Sequence, residues 1–182
     1  MSGKLVCDLP AKLIPYREPV ITNWHLEGHR AASWTAGSIL TREGHLVLAR
    51  RTWLSYKATR LRTIWDQWRR HGPPGTCELF FHKSRQQPEF LVLGYVKSER
   101  RATLSSLYCA TLLLDEVARL QAAHAIVADV SNARLSDRLL LRWGWQPHCT
   151  HWRGRHFIKR FYGTYPDIPP QWAERFQSTA LA

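Results

Sequence analysis

The densest group of metal-binding residue types lies towards the end of the chain. It combines one thiol with three imidazoles, at His148, Cys149, His151 and His156. Zinc needs three or four such ligands that converge as a tetrahedron. On a strand, Cys149 and His151 would share one face and His148 would point away. A hairpin would bring His156 near His151, but no second ligand cluster completes a site. We therefore expect ordinary strand surface here, and no metal.

Two further imidazoles, His25 and His29, are four residues apart with Glu27 between them. That spacing puts two side chains on one face of a helix. No further ligand is evident in the neighbouring sequence, whereas a structural zinc site is four-coordinate. We expect no metal at this pair.

The composition restricts the class of protein. A chain of 182 residues with 45% hydrophobic and 22% charged residues is expected to form a soluble globular domain. Lys and Arg number 26 against 14 Asp and Glu, which leaves a net charge of +12. Such a surface attracts polyanions, including nucleic acid, acidic lipid headgroups and phosphate-bearing cofactors. The alternative is a generally basic surface that only aids solubility.

The cysteines and the apolar runs indicate a cytoplasmic protein. The four cysteines form no C-x-x-C pair, which favours buried thiols in a reducing compartment; they are Cys7, Cys77, Cys109 and Cys149. The first residues contain no long apolar segment of a secretory signal. No run approaches the ~18 apolar residues of a membrane span, so no membrane association is expected.

Two different patterns divide the amino-terminal part. Prolines interrupt residues 1–40, so we expect an irregular segment with short edge strands at Leu13-Ile14 and Val20-Ile21. Residues 41–71 are predicted to be helical. The apolar stripe behind this prediction consists of Leu61, Ile64, Trp65 and Trp68. Gly72, followed by two prolines, should end the helix.

The middle of the chain predicts a hairpin followed by a crossover. The segments Cys77–Lys83 and Glu89–Lys97 are rich in aromatic and branched residues, and a polar turn joins them as antiparallel strands. The second strand is apolar almost throughout, so we expect both its faces to be covered. A helix over 103–122, with Thr103 as its N-cap, leads to a strand at Ala125–Val130. Strand, helix and strand predict a parallel pair with a right-handed crossover.

A short helix and a second hairpin are expected next. Ser131-Asn132 should cap the helix and Gly144 should end it. The hairpin is predicted to pair His148–Trp152 with Arg155–Tyr162 around Gly154.

The last segment, 163–182, is a proline-broken tail. A short helix at Gln171–Gln177 is expected to pack through Trp172 and Phe176. We find no internal repeat, and the whole chain, 1–182, is expected to form one domain.

The segment Val130-Ser131-Asn132, the short helix, the sequence Arg142-Trp143-Gly144-Trp145 and the two-stranded ending are similar to the carboxyl-terminal signature of the GCN5-related N-acetyltransferase (GNAT) family. The order of elements over the last two thirds of the chain resembles that family too. The resemblance implies an α/β (α+β) fold, in which a mixed, twisted central sheet is flanked by helices. The helix predicted over 41–71 adds a helical amino-terminal half. It also implies acyl transfer from acetyl-CoA or another acyl-CoA.

In this family the cofactor pyrophosphate lies at the amino terminus of the long helix, where amides and the helix dipole favour an anion. The family has a glycine-spaced run there, whereas this chain has no glycine between Gly94 and Gly144. It carries arginines and small hydroxyl residues, which suit an anion. The residues that the resemblance implies for the cofactor are Val96, Arg100, Arg101, Thr103, Ser105, Ser106 and Asn132.

The catalytic residues are left unassigned. Active members carry a tyrosine as general acid two residues before the basic residue of the signature, and that place is Leu140, which has no proton to give. Tyr108 or a histidine is the alternative. Candidate bases on the predicted strands are Asp129, Glu78 and His82, although a structural role is favoured for each.

Three functions remain open. The first is an acyl-CoA-dependent N-acyltransferase with an unknown acceptor. The second is a non-catalytic binding module of the same fold, because the family's glycines and tyrosine are missing. The third is a nucleic-acid-binding protein, because Trp and Arg are interleaved over Trp65–Arg70 in a chain of +12 charge.

Overall fold

An eight-stranded mixed sheet forms the centre of the fold. The computed structural model describes residues 20–52, 74–131 and 135–178. The strands are β1 Val20–Ile21, β2 Ala36–Arg42, β3 His45–Arg51, β4 Thr76–Lys83, β5 Phe90–Ser98, β6 Ala125–Asp129, β7 Gln146–Pro147 and β8 His156–Arg160. Their order in the sheet is β1-β3-β2-β4-β5-β6-β8-β7. Among these described strands, β5 and β6 are the parallel pair.

Four α-helices accompany the sheet in the described ranges. They are α1 Trp24–Glu27, α2 Leu104–Leu120, α3 Asp137–Arg142 and α4 Pro170–Ala173, with 3₁₀ turns at Gly28–Ser33 and Glu174–Phe176. The mixed α and β class that the sequence predicted is confirmed. The predicted edge strand at Val20-Ile21 is confirmed as β1, while Leu13-Ile14 lies outside the described residues.

The central hairpin and crossover also agree with the prediction. β4 and β5 pair antiparallel, and β5 pairs parallel with β6 after α2. Thr103 is the N-cap of α2, and its hydroxyl accepts a hydrogen bond from the Ser106 amide (3.2 Å). β5 is less buried than expected, since Leu91 is its one fully buried residue.

The prediction of a helix over 41–71 is wrong where the structure describes it, because β2 and β3 form a hairpin there. The turn consists of Glu43 (φ 52°) and Gly44 (φ 82°). Two central residues with positive φ match the right-handed twist of paired strands. This turn outweighs the helical propensity of the surrounding residues. The remainder, 53–71, lies outside the described residues, so a helical amino-terminal half is not shown.

Two local predictions near α3 need correction. Ser136, rather than Ser131-Asn132, is the N-cap, and its hydroxyl accepts from the Leu139 amide (3.3 Å). Gly144 follows the helix with φ 84°, as predicted. The expected strand His148–Trp152 does not form, because β7 is confined to Gln146–Pro147 and Cys149 (φ 48°) turns the chain out of the sheet.

The hydrophobic core lies between α2 and one face of the sheet. From α2 it takes Leu113, Leu114 and Val117, all fully buried, and from the sheet Leu79 and Ile126. The predicted buried thiols are confirmed at Cys77 and Cys109, while Cys149 is half-buried and Cys7 lies outside the described residues.

Residues 163–178 form a strap along α2, called here the C-terminal strap. The Tyr165 hydroxyl donates to the Ala123 carbonyl (2.9 Å) beyond the end of α2. Trp172 then contacts Tyr108, which lies four residues after the first residue of the same helix. Phe176 is fully buried, as expected, and Gln177 forms a bridge with Asn23. The strap therefore fixes the surroundings of the amino terminus of α2.

Candidate functional site

The candidate site begins where β5 leaves β6. Their parallel pairing runs from Phe90↔Ala125 to Leu93↔Ala128 and ends there. β5 continues to Ser98 along β4, and its register shifts at this point so that Gly94 is the extra residue of a β-bulge. A bulge bends the strand that carries it. Beyond Leu93, β5 no longer pairs with β6.

A short loop connects the end of β5 to α2. The Glu99 amide donates to the Thr76 carbonyl (3.0 Å), and the Gly75 amide donates to the Arg100 carbonyl (2.9 Å). Arg101 has φ 68°. These contacts hold the loop against the start of β4 and leave the side chains of Arg100 and Arg101 exposed beside the helix terminus.

The hydroxyl residues of the first turn are used by the protein itself. Thr103 caps α2, and its hydroxyl also hydrogen-bonds the half-buried Ser105 hydroxyl (2.7 Å). Ser106 is fully buried. Its hydroxyl accepts from the Gly44 amide (3.4 Å) and its carbonyl accepts from Thr41 Oγ1 (2.8 Å). Ser106 therefore joins α2 to the β2–β3 hairpin and has no surface left for a ligand.

The other two residues that the resemblance implied lie elsewhere. Val96 is half-buried opposite Leu79 and packs against the core. Asn132 lies outside the described residues. Of the implied set, Arg100, Arg101 and Thr103 are brought together at an exposed place, and Ser105 lies beside them.

Two arginines that the sequence did not single out border the same helix terminus. Arg42 Nε lies 4.0 Å from the Cβ that a side chain at Gly75 would have, and Arg175 Nη1 lies 3.0 Å from the corresponding position at Gly44. Arg175 also stacks over the Trp172 ring at 4.8 Å. Arg175 belongs to the C-terminal strap, about seventy residues along the chain from the start of α2. The sequence predicted that Trp172 of this strap packs against the fold, but it did not predict that Arg175 lies beside α2.

An aromatic group surrounds Tyr108 on the side of α2. The Tyr108 ring centroid lies 5.0 Å from that of Trp143 and 5.1 Å from that of Trp172. Burial, and then the charge of Asp115, raises the pKa of the Tyr108 phenol. Leu140, at the place of the family's tyrosine, is buried in the core. Tyr108 is thus a phenol in the second turn of α2, four residues after the first residue of the helix.

A buried ion pair lies farther along α2. Lys159 Nζ of β8 donates to Asp115 Oδ2 (2.6 Å), and both side chains are almost completely buried. Burial raises the pKa of Asp115 to about 6, although Lys159 opposes that rise. Asp115 Oδ1 has no hydrogen-bond partner. The Cβ position of Gly144 is 3.1 Å from Lys159 Cε, so the glycine lets the backbone pass over the lysine.

The three candidate bases differ in their surroundings. Glu78 is paired with Arg50 (3.0 Å). His82 is half-buried, and its pKa is lowered by burial and then by Arg85. Asp129, the last residue of β6, is exposed. His82 and Asp129 therefore remain as groups that are able to act on a ligand.

The histidine clusters form no metal centre. In ranges 20–52, 74–131 and 135–178, no three or more His, Cys, Asp or Glu side chains are arranged to hold a metal ion. His25 Nε2 hydrogen-bonds the Ala173 carbonyl instead (2.8 Å). Trp152 is edge-on to His151 and His156, with ring centroids 6.0 and 5.7 Å apart.

None of the helices that the structure describes has the length and apolar character needed to cross a membrane. Comparison with known proteins found no family model, no curated protein and no solved structure that matches this chain.

Proposed function

We propose that this chain is an acyl-CoA-dependent N-acyltransferase of the GNAT type. The observation that carries the proposal is the end of β5–β6 pairing at the Gly94 bulge, directly before the loop that starts α2. A ligand that enters between the diverging strands meets the part of β5 beyond its pairing with β6 first, and the helix terminus next. Acetyl-CoA has amide groups in its pantetheine arm and phosphates at its other end, which suits that order of partners.

The charge at the helix terminus supports the phosphate end of the proposal. α2 has 17 residues, so its dipole is fully developed at the first turn. The guanidinium groups of Arg100 and Arg101 are exposed at this end, and Arg42 and Arg175 approach it from the hairpin and the strap. Guanidinium groups bind phosphate oxygens by charge-assisted hydrogen bonds.

The chemistry requires little from the protein beyond alignment of the two substrates. The amine attacks the thioester carbonyl, and sulfur leaves as a thiolate that needs a proton. Tyr108 is the proposed donor, because it is a phenol on α2 close to the first turn, and the upward shift of its pKa favours the protonated form. In this proposal Tyr108 on the long helix replaces the tyrosine that active family members carry at the position of Leu140.

Titration calorimetry with acetyl-CoA tests the cofactor site. The wild type is expected to bind, and the double variant Arg100→Gln/Arg101→Gln is expected to bind at least tenfold more weakly, because two charged contacts are lost. Arg30→Gln is the matched control, since Arg30 is exposed and lies in the 3₁₀ turn Gly28–Ser33, whose Ala31 carbonyl accepts from Gln121 at the opposite end of α2. Absence of binding by the wild type at millimolar acetyl-CoA would reject the proposal.

A non-catalytic binding module is the second candidate. It is favoured by Ser106, whose buried hydroxyl is unable to contact a phosphate, and by the packing of Tyr108 between two tryptophans. Binding of acetyl-CoA without release of free thiol, in the presence of a mixture of amines, would support it over the enzyme.

The net charge of +12 keeps nucleic acid as a further candidate partner. Binding to random-sequence DNA or RNA should then weaken steeply with added salt, because counterions are released on binding. Binding that is absent or independent of salt would dismiss this candidate.

A further inference from the structure

A row of polar residues crosses the sheet on the face opposite α2. Thr41 and its partner Cys77 face α2, since Thr41 hydrogen-bonds the Ser106 carbonyl. Side chains alternate along a strand, so His82 of β4 points to the other face. His82 is five residues after Cys77 on the same strand, and an odd separation puts the two side chains on opposite faces of the sheet.

Gly94 of β5 continues that row. The Cβ that a side chain at Gly94 would have lies 3.4 Å from His82 Nδ1 and 3.5 Å from its Cε1. Gly94 is exposed, and it is the extra residue of the bulge at the edge of the proposed cofactor opening. A glycine inside a strand often marks a place where a ligand approaches the backbone. The Nδ1–Cε1 edge of the imidazole therefore borders an open position on the sheet.

Asp129 of β6 lies on the other side of Gly94. Its neighbour Ala128 pairs with Leu93, so Asp129 and Gly94 are the next residues along the two parallel strands. No cation pairs with the Asp129 carboxylate among the residues that the structure describes. The register thus places the exposed Asp129 carboxylate on the same face of the sheet as His82, on the other side of Gly94.

His156 of β8 extends the row beyond Asp129, with which it pairs. Its Nε2 is 3.1 Å from the Arg153 carbonyl, which is able only to accept, so Nε2 carries the proton. Gly154 adjoins both side chains, with its Cβ position 3.2 Å from His156 Nε2 and 3.8 Å from Asp129 Oδ1. The loop carbonyl thus holds His156 in place beside the carboxylate.

We infer that a cationic primary amine is the acceptor and that it binds over Gly94, with Asp129 attracting its charge and His82 taking its proton. This inference rests on the proposed acyltransferase function. The chemistry suits the groups: burial and the nearby Arg85 favour the neutral imidazole of His82, and a neutral imidazole is able to accept a proton.

The atoms and charges of the step balance as follows. His82 takes one proton from the ammonium, and the freed nitrogen lone pair forms a C–N bond to the thioester carbonyl. The C–S bond breaks and its electron pair stays on sulfur. Tyr108 gives its proton to sulfur, which yields the free thiol, and the second proton lost by nitrogen restores the Tyr108 phenol. His82 then releases the first proton to water, so the products are an amide, a thiol and one proton.

The first experiment measures thiol release from acetyl-CoA, with a lysine-containing peptide as probe amine, for wild type, His82→Gln and the control His29→Gln. His29 is an exposed imidazole outside this row. We expect His82→Gln to retain its affinity for acetyl-CoA in calorimetry, to lose about a hundredfold in kcat/KM, and to lose the rise of rate with pH that a general base produces. The control should match wild type.

The second variant tests the charge. Asp129→Asn should raise KM for the lysine peptide about tenfold and leave KM unchanged for an aromatic amine that is neutral at the assay pH, because only the cation needs the carboxylate. Asp167→Asn, an exposed carboxylate on the C-terminal strap, is the control.

The outcomes separate the two proposals. If the wild type does not bind acetyl-CoA, the proposed function falls and the acceptor site falls with it. If acetyl-CoA binds and transfer in His82→Gln and Asp129→Asn equals that of wild type, only the acceptor site is overturned. If acetyl-CoA binds without transfer, the Gly94 amide resonance decides: a shift on titration with methylamine that Asp129→Asn abolishes supports the site, and no shift overturns it.

Discussion

The carboxylates of Asp115 and Asp129 lie on opposite sides of one sheet, in very different surroundings. Asp115 is buried and held by Lys159, over which the backbone of Gly144 passes, while Asp129 is exposed at the end of β6. A charge removed from water must be paired or neutralised, and an exposed charge carries no such requirement. Asp115 on the α2 face therefore connects two elements, whereas Asp129 on the opposite face is left available to a ligand.

The largest effect is expected on the buried side. Lys159→Met removes the cation and leaves the Asp115 carboxylate without a partner, which should lower the free energy of unfolding by ~3–5 kcal/mol at pH 8. Urea denaturation measures the change. Adding Asp115→Asn to Lys159→Met should restore part of the loss, because no buried charge then remains.

On the exposed side, Asp129→Asn is the matched substitution. It should change the free energy of unfolding by no more than ~0.5 kcal/mol, as is usual for surface positions. A comparable loss in Asp129→Asn and Lys159→Met would mean that the two faces do not differ in the way described.

The pH dependence of stability is the next largest effect. Burial raises the pKa of Asp115 to about 6 from the ordinary 3.8. Below pH 3.8 the carboxyl is protonated in both states, and its contribution to stability is complete. As pH rises from 3.8 towards 6, the unfolded chain releases this proton while the folded chain keeps it, so stability falls by ~3 kcal/mol across that window.

Comparison with Asp115→Asn isolates this contribution, because the amide does not titrate. The difference in unfolding free energy between wild type and Asp115→Asn should therefore move in favour of the variant from pH 4 to pH 6 and then become constant. A difference that stays flat across this window would show that Asp115 does not titrate with a raised pKa.

The buried side was also the more predictable of the two. Hydrophobic periodicity and the Thr103 cap predicted α2, and the apolar runs predicted β4, β5 and β6, because burial imposes a regular spacing on a sequence. The β2–β3 hairpin was missed because its turn depends on two residues, Glu43 and Gly44, inside a segment without strict alternation. Local turn chemistry decided the fold there.

The candidate site was less predictable, because it depends on register and on distant segments. Arg100 and Arg101 were named from their place before a helix. The bulge at Gly94 was not foreseen, since it arises from the pairing of β4 with β5 and leaves no mark in the sequence except a glycine. Arg175 lies near α2 only because the strap packs there. His82 contacts Gly94 only because β4 and β5 are paired in this register.

Gly94→Ala is also expected to change stability little, and this variant separates folding from function most directly. The added Cβ would lie 3.4 Å from His82 Nδ1, an ordinary contact distance. Because alanine has fewer conformations than glycine in the unfolded chain, stability should stay equal or rise by ~0.4–1 kcal/mol. Transfer to the lysine peptide should nevertheless fall, since the methyl group occupies the position proposed for the amine, while acetyl-CoA affinity in calorimetry stays within about twofold. Unchanged transfer with unchanged stability would mean that no ligand needs the space over Gly94, and that the exposed row is only solvated surface.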